Sequence, residues 1–262
     1  MLRLEGVHVT FNAGSASEVR ALSDLSLSVA NGEFVTVIGA NGAGKSTLFN
    51  VIAGTVPAER GAIWLNGQNI RDWPEHRRST HIGRVFQNPA LGTCPGLTVL
   101  ENLALADRRG RARGLRPGIK KTDRARFADL LRPIGMGLEN RLDADVALLS
   151  GGQRQAITLL MATLNHPDLL LLDEHTAALD PNAAGLTIDL TMRLAAEHRL
   201  TVIMITHSMA QATMVGDRVV MMNRGTVLFE IGGEDKKNLT VSELVERFRT
   251  LKTEVADRTM LE

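Results

Sequence analysis

Gly39-Ala40-Asn41-Gly42-Ala43-Gly44-Lys45-Ser46-Thr47 decides the reading of this chain. It carries the spacing G-x-x-x-x-G-K-[ST], with a strand-like apolar run, Phe34 to Ile38, before it and a helical pattern, Thr47 to Ile52, after it. Glycines at these places let the backbone curl until successive N–H groups point inward at phosphate oxygens. A helix start beyond them adds a dipole that favours an anion. Lys45 suits the β- and γ-phosphates of a nucleoside triphosphate, and the Ser46 hydroxyl suits Mg²⁺. All nine residues from Gly39 to Thr47 are therefore candidate nucleotide contacts.

Downstream, Leu169-Leu170-Leu171-Leu172-Asp173-Glu174 reads as a buried strand that delivers two carboxylates at its C-terminal end, where open α/β sheets bind ligands. Successive strand residues point to opposite faces, so the two carboxylates take different roles. Asp173 suits a magnesium shell, and Glu174 suits polarising an attacking water. Further strands are expected at Thr201 to Ile205, Val219 to Met222 and Thr226 to Glu230, with a helix from about Asn182 to His198. Before the cradle, Leu25 to Val29 alternates with period two and is followed by Asn31-Gly32, which predicts a hairpin into Phe34 to Ile38. With Ala62 to Leu65 and Ile82 to Phe86, an antiparallel portion is expected from the first 90 or so residues, beside a parallel core. Helical patterns dominate from Val99 to about Leu164, and Thr240-Val241-Ser242-Glu243 caps a closing amphipathic helix.

Composition bounds the rest. The chain has 262 residues, 44% hydrophobic and 23% charged, as in an ordinary globular protein. A net charge of +1 argues against a globally basic nucleic-acid binder. A lone cysteine, Cys94, excludes an internal disulfide and a cysteine-based zinc cluster. The start, MLRLEGVHVTF, lacks the apolar core of a secretory signal, and no run approaches the ~20 apolar residues that a membrane span needs.

A third element, Leu149-Ser150-Gly151-Gly152-Gln153, again places small residues at a helix start, Arg154 to Leu164. A second cradle in one chain is redundant unless it serves a nucleotide held by another copy. With this element the sequence resembles the nucleotide-binding subunits of ABC transporters over roughly residues 1–230. Residues 39–47 resemble the Walker A motif, Gln87 in Phe86-Gln87-Asn88-Pro89 the Q-loop, and residues 149–153 the signature. Residues 169–174 resemble Walker B, Asp180 in Ala178-Leu179-Asp180 the D-loop, and His207, 33 residues after Glu174, the switch histidine.

By that resemblance the fold is an ABC-type α/β ATPase: a mixed sheet with a parallel core, an antiparallel β subdomain and a helical subdomain. Residues 1–87 and 166–230 would form the core with its β subdomain, 88–165 the helical signature subdomain, and 231–262 a C-terminal helical extension. Lys45, Glu174 and His207 would be catalytic. Ser46, Gln87 and Asp173 would hold Mg²⁺. Phe11, Ser150, Gly151, Gly152, Gln153 and Asp180 would join the cradle around ATP, with Phe11 stacked on adenine or else packed in the core. Trp64 and Trp73 receive only packing or surface roles. Ala40 and His175 stand where relatives carry proline, and the helix after the signature lacks an arginine common there; none of these changes touches a group assigned to phosphate or water.

The implied partners are a second cassette, integral membrane permease subunits and a solute-binding protein, with no nucleic acid, at the cytoplasmic face of the inner membrane. Residues 97–106 and 173–180 look like those of bacterial importers for amino acids or similar small organic solutes. An exporter ATPase is the alternative, and a soluble ABC ATPase of DNA repair or translation a weaker one, since there is one cassette and no heptad run. Residues 107–126 hold nine basic and two acidic residues, and read either as a solvated loop or as a contact for anionic headgroups or the membrane partner.

Overall fold

The computed structural model describes residues 1–111 and 117–259, with side chains through Thr250. In chain order it contains β1 (Leu2–Phe11), β2 (Val19–Val29), β3 (Phe34–Gly39), α1 (Lys45–Ala53), β4 (Arg60–Leu65), β5 (Gln68–Asn69), α2 (Glu75–Arg78), β6 (Ile82–Val85), α3 (Val99–Asp107) and α4 (Asp123–Leu131). Then follow α5 (Gly151–Thr163), β7 (Leu169–Asp173), α6 (Pro181–His198), β8 (Thr201–Ile205), α7 (Met209–Met214), β9 (Arg218–Asn223), β10 (Thr226–Gly232), α8 (Gly233–Lys237) and α9 (Val241–Thr259).

Six strands form the main sheet in the order β10-β9-β3-β8-β7-β6, with β10 antiparallel to β9 and the other neighbours parallel. A second, antiparallel sheet runs β2-β1-β4-β5. β3 lies inside the main sheet, so its run from Phe34 to Ile38 is buried on both faces.

The expected hairpin at Asn31-Gly32 does not form. β2 alternates buried and exposed residues and pairs with β1, whereas β3 is buried from Phe34 to Ile38 and pairs with β8 and β9. One strand thus suits a half-covered sheet and the other a doubly covered one, and the turn between them is a corner from sheet to sheet. The corner is held by Gly32 N–H donating to Thr201 Oγ1 (2.9 Å) and by Phe34 N–H donating to the Asp217 carboxylate (2.8 Å). Likewise β6 is the edge strand of the parallel core, hydrogen-bonded to β7, and not part of the antiparallel portion.

Pleating divides the core. Leu169 and Leu171 of β7 join a cluster with α1 and the antiparallel sheet, while Leu170 and Leu172 face the cluster built by α3, α4, α5 and α6. A smaller cluster seats Leu244 of α9 against Val219, Met221 and Ile231. Thr240 and Glu243 close the expected capping box of α9. The C-terminal end of α1 meets a fully buried guanidinium: Arg78 donates to the carbonyls of Val51 (2.6 Å) and Ile52 (3.0 Å).

Candidate nucleotide-binding and hydrolysis site

The cradle hangs between β3 and α1. Gly39 and Gly44 have positive φ (156° and 98°), and a Cβ there would lie 2.4 Å from Met222 O or 2.5 Å from Ala21 O. Backbone on both sides therefore forbids any side chain at these two positions. α1 begins without a side-chain cap and without an acidic residue in its first turn, so its leading N–H groups are left for an anion. Asn41 and Gly42 are exposed on the loop, and Ser46 is exposed in the first turn of α1. Lys45 is buried, and its ammonium donates to the carbonyls of Gly39 (2.9 Å) and Ala40 (3.0 Å). Burial pulls its pKa down, and the charges of Glu174 and Asp173 push it back up.

The sheet brings three more of the expected residues together. Glu174 leaves the end of β7 in a left-handed conformation (φ 45°), with its N–H bonded to Ile205 O (3.0 Å). That conformation turns its carboxylate between two neighbours. Oε1 lies 2.5 Å from His207 Nε2, and Oε2 accepts from Gln87 Nε2 at 3.2 Å. His207 follows β8, anchored by Thr206, whose hydroxyl donates to Gln211 Oε1 (2.7 Å), while Gln211 Nε2 donates to Thr176 Oγ1 (3.0 Å). Asp173 accepts instead from Arg84 Nη2 at 3.4 Å. The hydroxyl of Ser46, the Asp173 carboxylate and the amide oxygen of Gln87, whose nitrogen is the atom bonded to Glu174, are hard oxygen donors of the kind that suit Mg²⁺.

The signature residues are placed apart. Among the described residues no hydrogen bond joins residues 149–153 to the cradle. Ser150 caps α5 in a reciprocal box with Gln153, which also accepts from Arg141 and donates to Met136 O. The Gln153 side chain thus has a structural occupation in this chain. Gly152 is buried where a Cβ would lie 2.8 Å from Ala183 Cβ of α6, whereas Gly151 is exposed. Asp180 caps α6 through the N–H groups of Asn182 and Ala183. Phe11 ends β1 and is 40% exposed, which is not a core position.

Two participants lacked a sequence signal. Arg84 is one, since nothing marked a strand residue beside β7 as a partner of Asp173. Gln155 is the other: buried in α5, it donates to Phe86 O (3.2 Å) and ties that helix to the Gln87 segment. His175 is buried against α6, its Nε2 3.1 Å from Thr191 Oγ1, whose own hydrogen goes to Thr187 O. Burial lowers its pKa to about 4. In the basic stretch, Arg109 is half-buried with its guanidinium on Met161 O and Ala162 O, and Arg111 and Arg126 pair with Asp107. Arg113 and Arg116 lie outside the described residues. Much of that charge is spent within the protein.

The family model for ABC transporters matches residues 22–177. A tyrosine transport ATP-binding protein of Clostridioides difficile is 41% identical over 249 residues, 95% of this chain and 98% of that protein. A methionine import ATP-binding protein of Enterococcus faecalis is 33% identical over 261 residues, 98% of this chain and 69% of the relative. Among solved structures, a dimeric ATP-binding cassette in a post-hydrolysis state with ADP and Pi superposes with a TM-score of 0.76 at 30% identity, covering 88% of this chain and 98% of that one. The ADP conformation of another ABC transporter cassette gives 0.77 at 27% identity, covering 95% and 98%. The chain belongs to the ABC transporter family, as one of its ATP-hydrolysing cassettes.

Proposed function

We propose that this cassette drives uptake of an amino acid or a similar small organic solute through separate membrane subunits. The observation that carries this reading is end-to-end similarity to a tyrosine transport ATP-binding protein, covering 98% of that relative. Residues 1–87 and 166–230 act as the nucleotide-binding core with its β subdomain, 88–165 as the helical signature subdomain and 231–262 as an extension. No helix among the described residues is long and apolar enough to cross a membrane. In this reading the cassette attaches at the cytoplasmic face through the permease, with a solute-binding protein delivering cargo.

In the mechanism, the cradle N–H groups and Lys45 hold the β- and γ-phosphates, and Phe11 stacks on adenine. Ser46, Gln87 and Asp173 hold Mg²⁺, which when bound offsets phosphate charge. Glu174 takes a proton from water as the water oxygen attacks the γ-phosphorus, and the bond from that phosphorus to the bridging oxygen breaks to release ADP. His207, in contact with the same carboxylate, orients it and faces the γ-phosphate. Ser150, Gly151 and Gly152 of a second copy close over the nucleotide, with Asp180 at the joint.

Deleting the gene and measuring uptake of radiolabelled tyrosine, methionine and other amino acids tests the reading. Loss of uptake of at least one is expected. Unchanged uptake of all of them would refute import of this solute class.

A further inference from the structure

Arg84 is a cation in the site to which neither nucleotide binding nor hydrolysis assigns a role. It projects from edge strand β6, with one long hydrogen bond to Asp173 (3.4 Å) and its guanidinium 4.7 Å from the centre of the Phe86 ring. Its Nε is buried without a partner, and the two side chains of the pair are only 15% and 16% exposed. This is a single contact, not the two-pronged Arg–carboxylate clasp, so it holds charge near Asp173 without locking the carboxylate.

We propose that Arg84 is a resident counter-cation that keeps free divalent metal off Asp173 until phosphates arrive. The proposal rests on the reading of Asp173 as a magnesium residue. Lys45 and Arg84 bring two cationic side chains to the carboxylates of Asp173 and Glu174. A guanidinium does not deprotonate in proteins, so the positive charge beside Asp173 is present at every physiological pH. A dication approaching Asp173 therefore meets a fixed positive charge in a partly buried setting, where repulsion is larger than in water. A triphosphate reverses the balance. Its negative charges engage Lys45 and the cradle, the site becomes anionic overall, and the metal enters with the nucleotide. The long contact gives way because Arg84 has the Phe86 ring to rest on.

Electron paramagnetic resonance of Mn²⁺ added to the nucleotide-free full chain tests this. Arg84→Met should bind Mn²⁺ at least ten-fold more tightly than the natural chain, and Asp173→Asn in the same background should abolish the gain. Arg84→Lys, which keeps the charge, should bind no more Mn²⁺ than the natural chain. The proposal fails if Arg84→Met gains nothing, if the gain survives loss of Asp173, or if Arg84→Lys shows it too. Should the methionine variant not fold, Arg84→Gln removes the same charge and is held to the same outcomes. Repeating the titration with ATP separates the two ideas. If Asp173→Asn alone leaves Mn²⁺ affinity in the nucleotide complex unchanged, the role of Asp173 falls; if only the nucleotide-free gain is missing, the counter-cation falls and Asp173 keeps its role.

Discussion

Lys45 donates to the carbonyls of its own loop, an engagement that phosphate oxygens would contest. Lys45→Ala should lower ATP affinity by at least ten-fold in nucleotide titrations, because the cradle has no other lysine or arginine. Wild-type affinity would remove the cradle from the site. His175 makes a different kind of statement. Its Nε2–H donates to Thr191, since the threonine hydrogen is already committed to Thr187 O, so the ring is held in its neutral form. An unfolded histidine titrates near 6.5, and this one near 4, so the unfolded chain binds the extra proton between those values. Stability is therefore full above about pH 6.5 and falls as pH drops towards 4, by about 3 kcal/mol. Urea unfolding of His175→Asn should show a shallower acid slope than the natural chain across that window. Parallel slopes would contradict the burial argument.

Helix α1 is pinned at both ends, by backbone closeness at Gly44 and by Arg78 on its last carbonyls. Arg78→Met would leave those buried oxygens unpaired at about 1–3 kcal/mol each, so the expected loss in chemical denaturation is about 3 kcal/mol. A loss under about 0.5 kcal/mol would show that water replaces the guanidinium. At the start of α5 the two glycines can be told apart. Gly152→Ala forces a methyl against Ala183 and should lower stability by about 1–3 kcal/mol. Gly151→Ala meets only ordinary contact, 3.4 Å from a Leu179 methyl, so it should leave stability intact and lower ATPase activity if that glycine faces a partner's nucleotide. Unchanged activity would leave the exposed glycine without a role. Much of this level was legible beforehand: β7, β8 and α6 fall within a residue or so of their expected bounds because continuous apolar runs and a long periodic helix are strong signals. The Asn31-Gly32 corner was not, because a turn dipeptide reports a local bend and cannot say which sheet receives the next strand. The resemblance alone places Gln153 and Asp180 near ATP, and what it does not reveal is that their side chains also close the starts of α5 and α6, because polar residues at helix starts suit both purposes.

Across the whole molecule, the cradle and the signature occupy separate elements, and the related cassette with ADP and Pi is dimeric. Glu174→Gln keeps size and reach but cannot take a proton, so ATP hydrolysis should fall by about 10²–10⁴ while nucleotide still binds. Size-exclusion chromatography with ATP should then show a long-lived dimer of the variant. A variant that is inactive yet monomeric, with or without its membrane partners, would count against the shared site. The strand order carries one more consequence. The cradle descends from β3, whose residues from Phe34 to Ile38 are at most 5% exposed inside the sheet, while Gln87 and Arg84 belong to its edge, on or just beyond β6. Amide hydrogens on a strand flanked on both sides exchange with solvent only when the domain opens as a whole, whereas edge amides exchange through small local openings. Deuterium should therefore enter Ile82 to Gln87 orders of magnitude faster than Val35 to Ile38. The phosphate cradle would then hang from a strand that opens only with the whole sheet, while Gln87 would sit beside one free to open by itself.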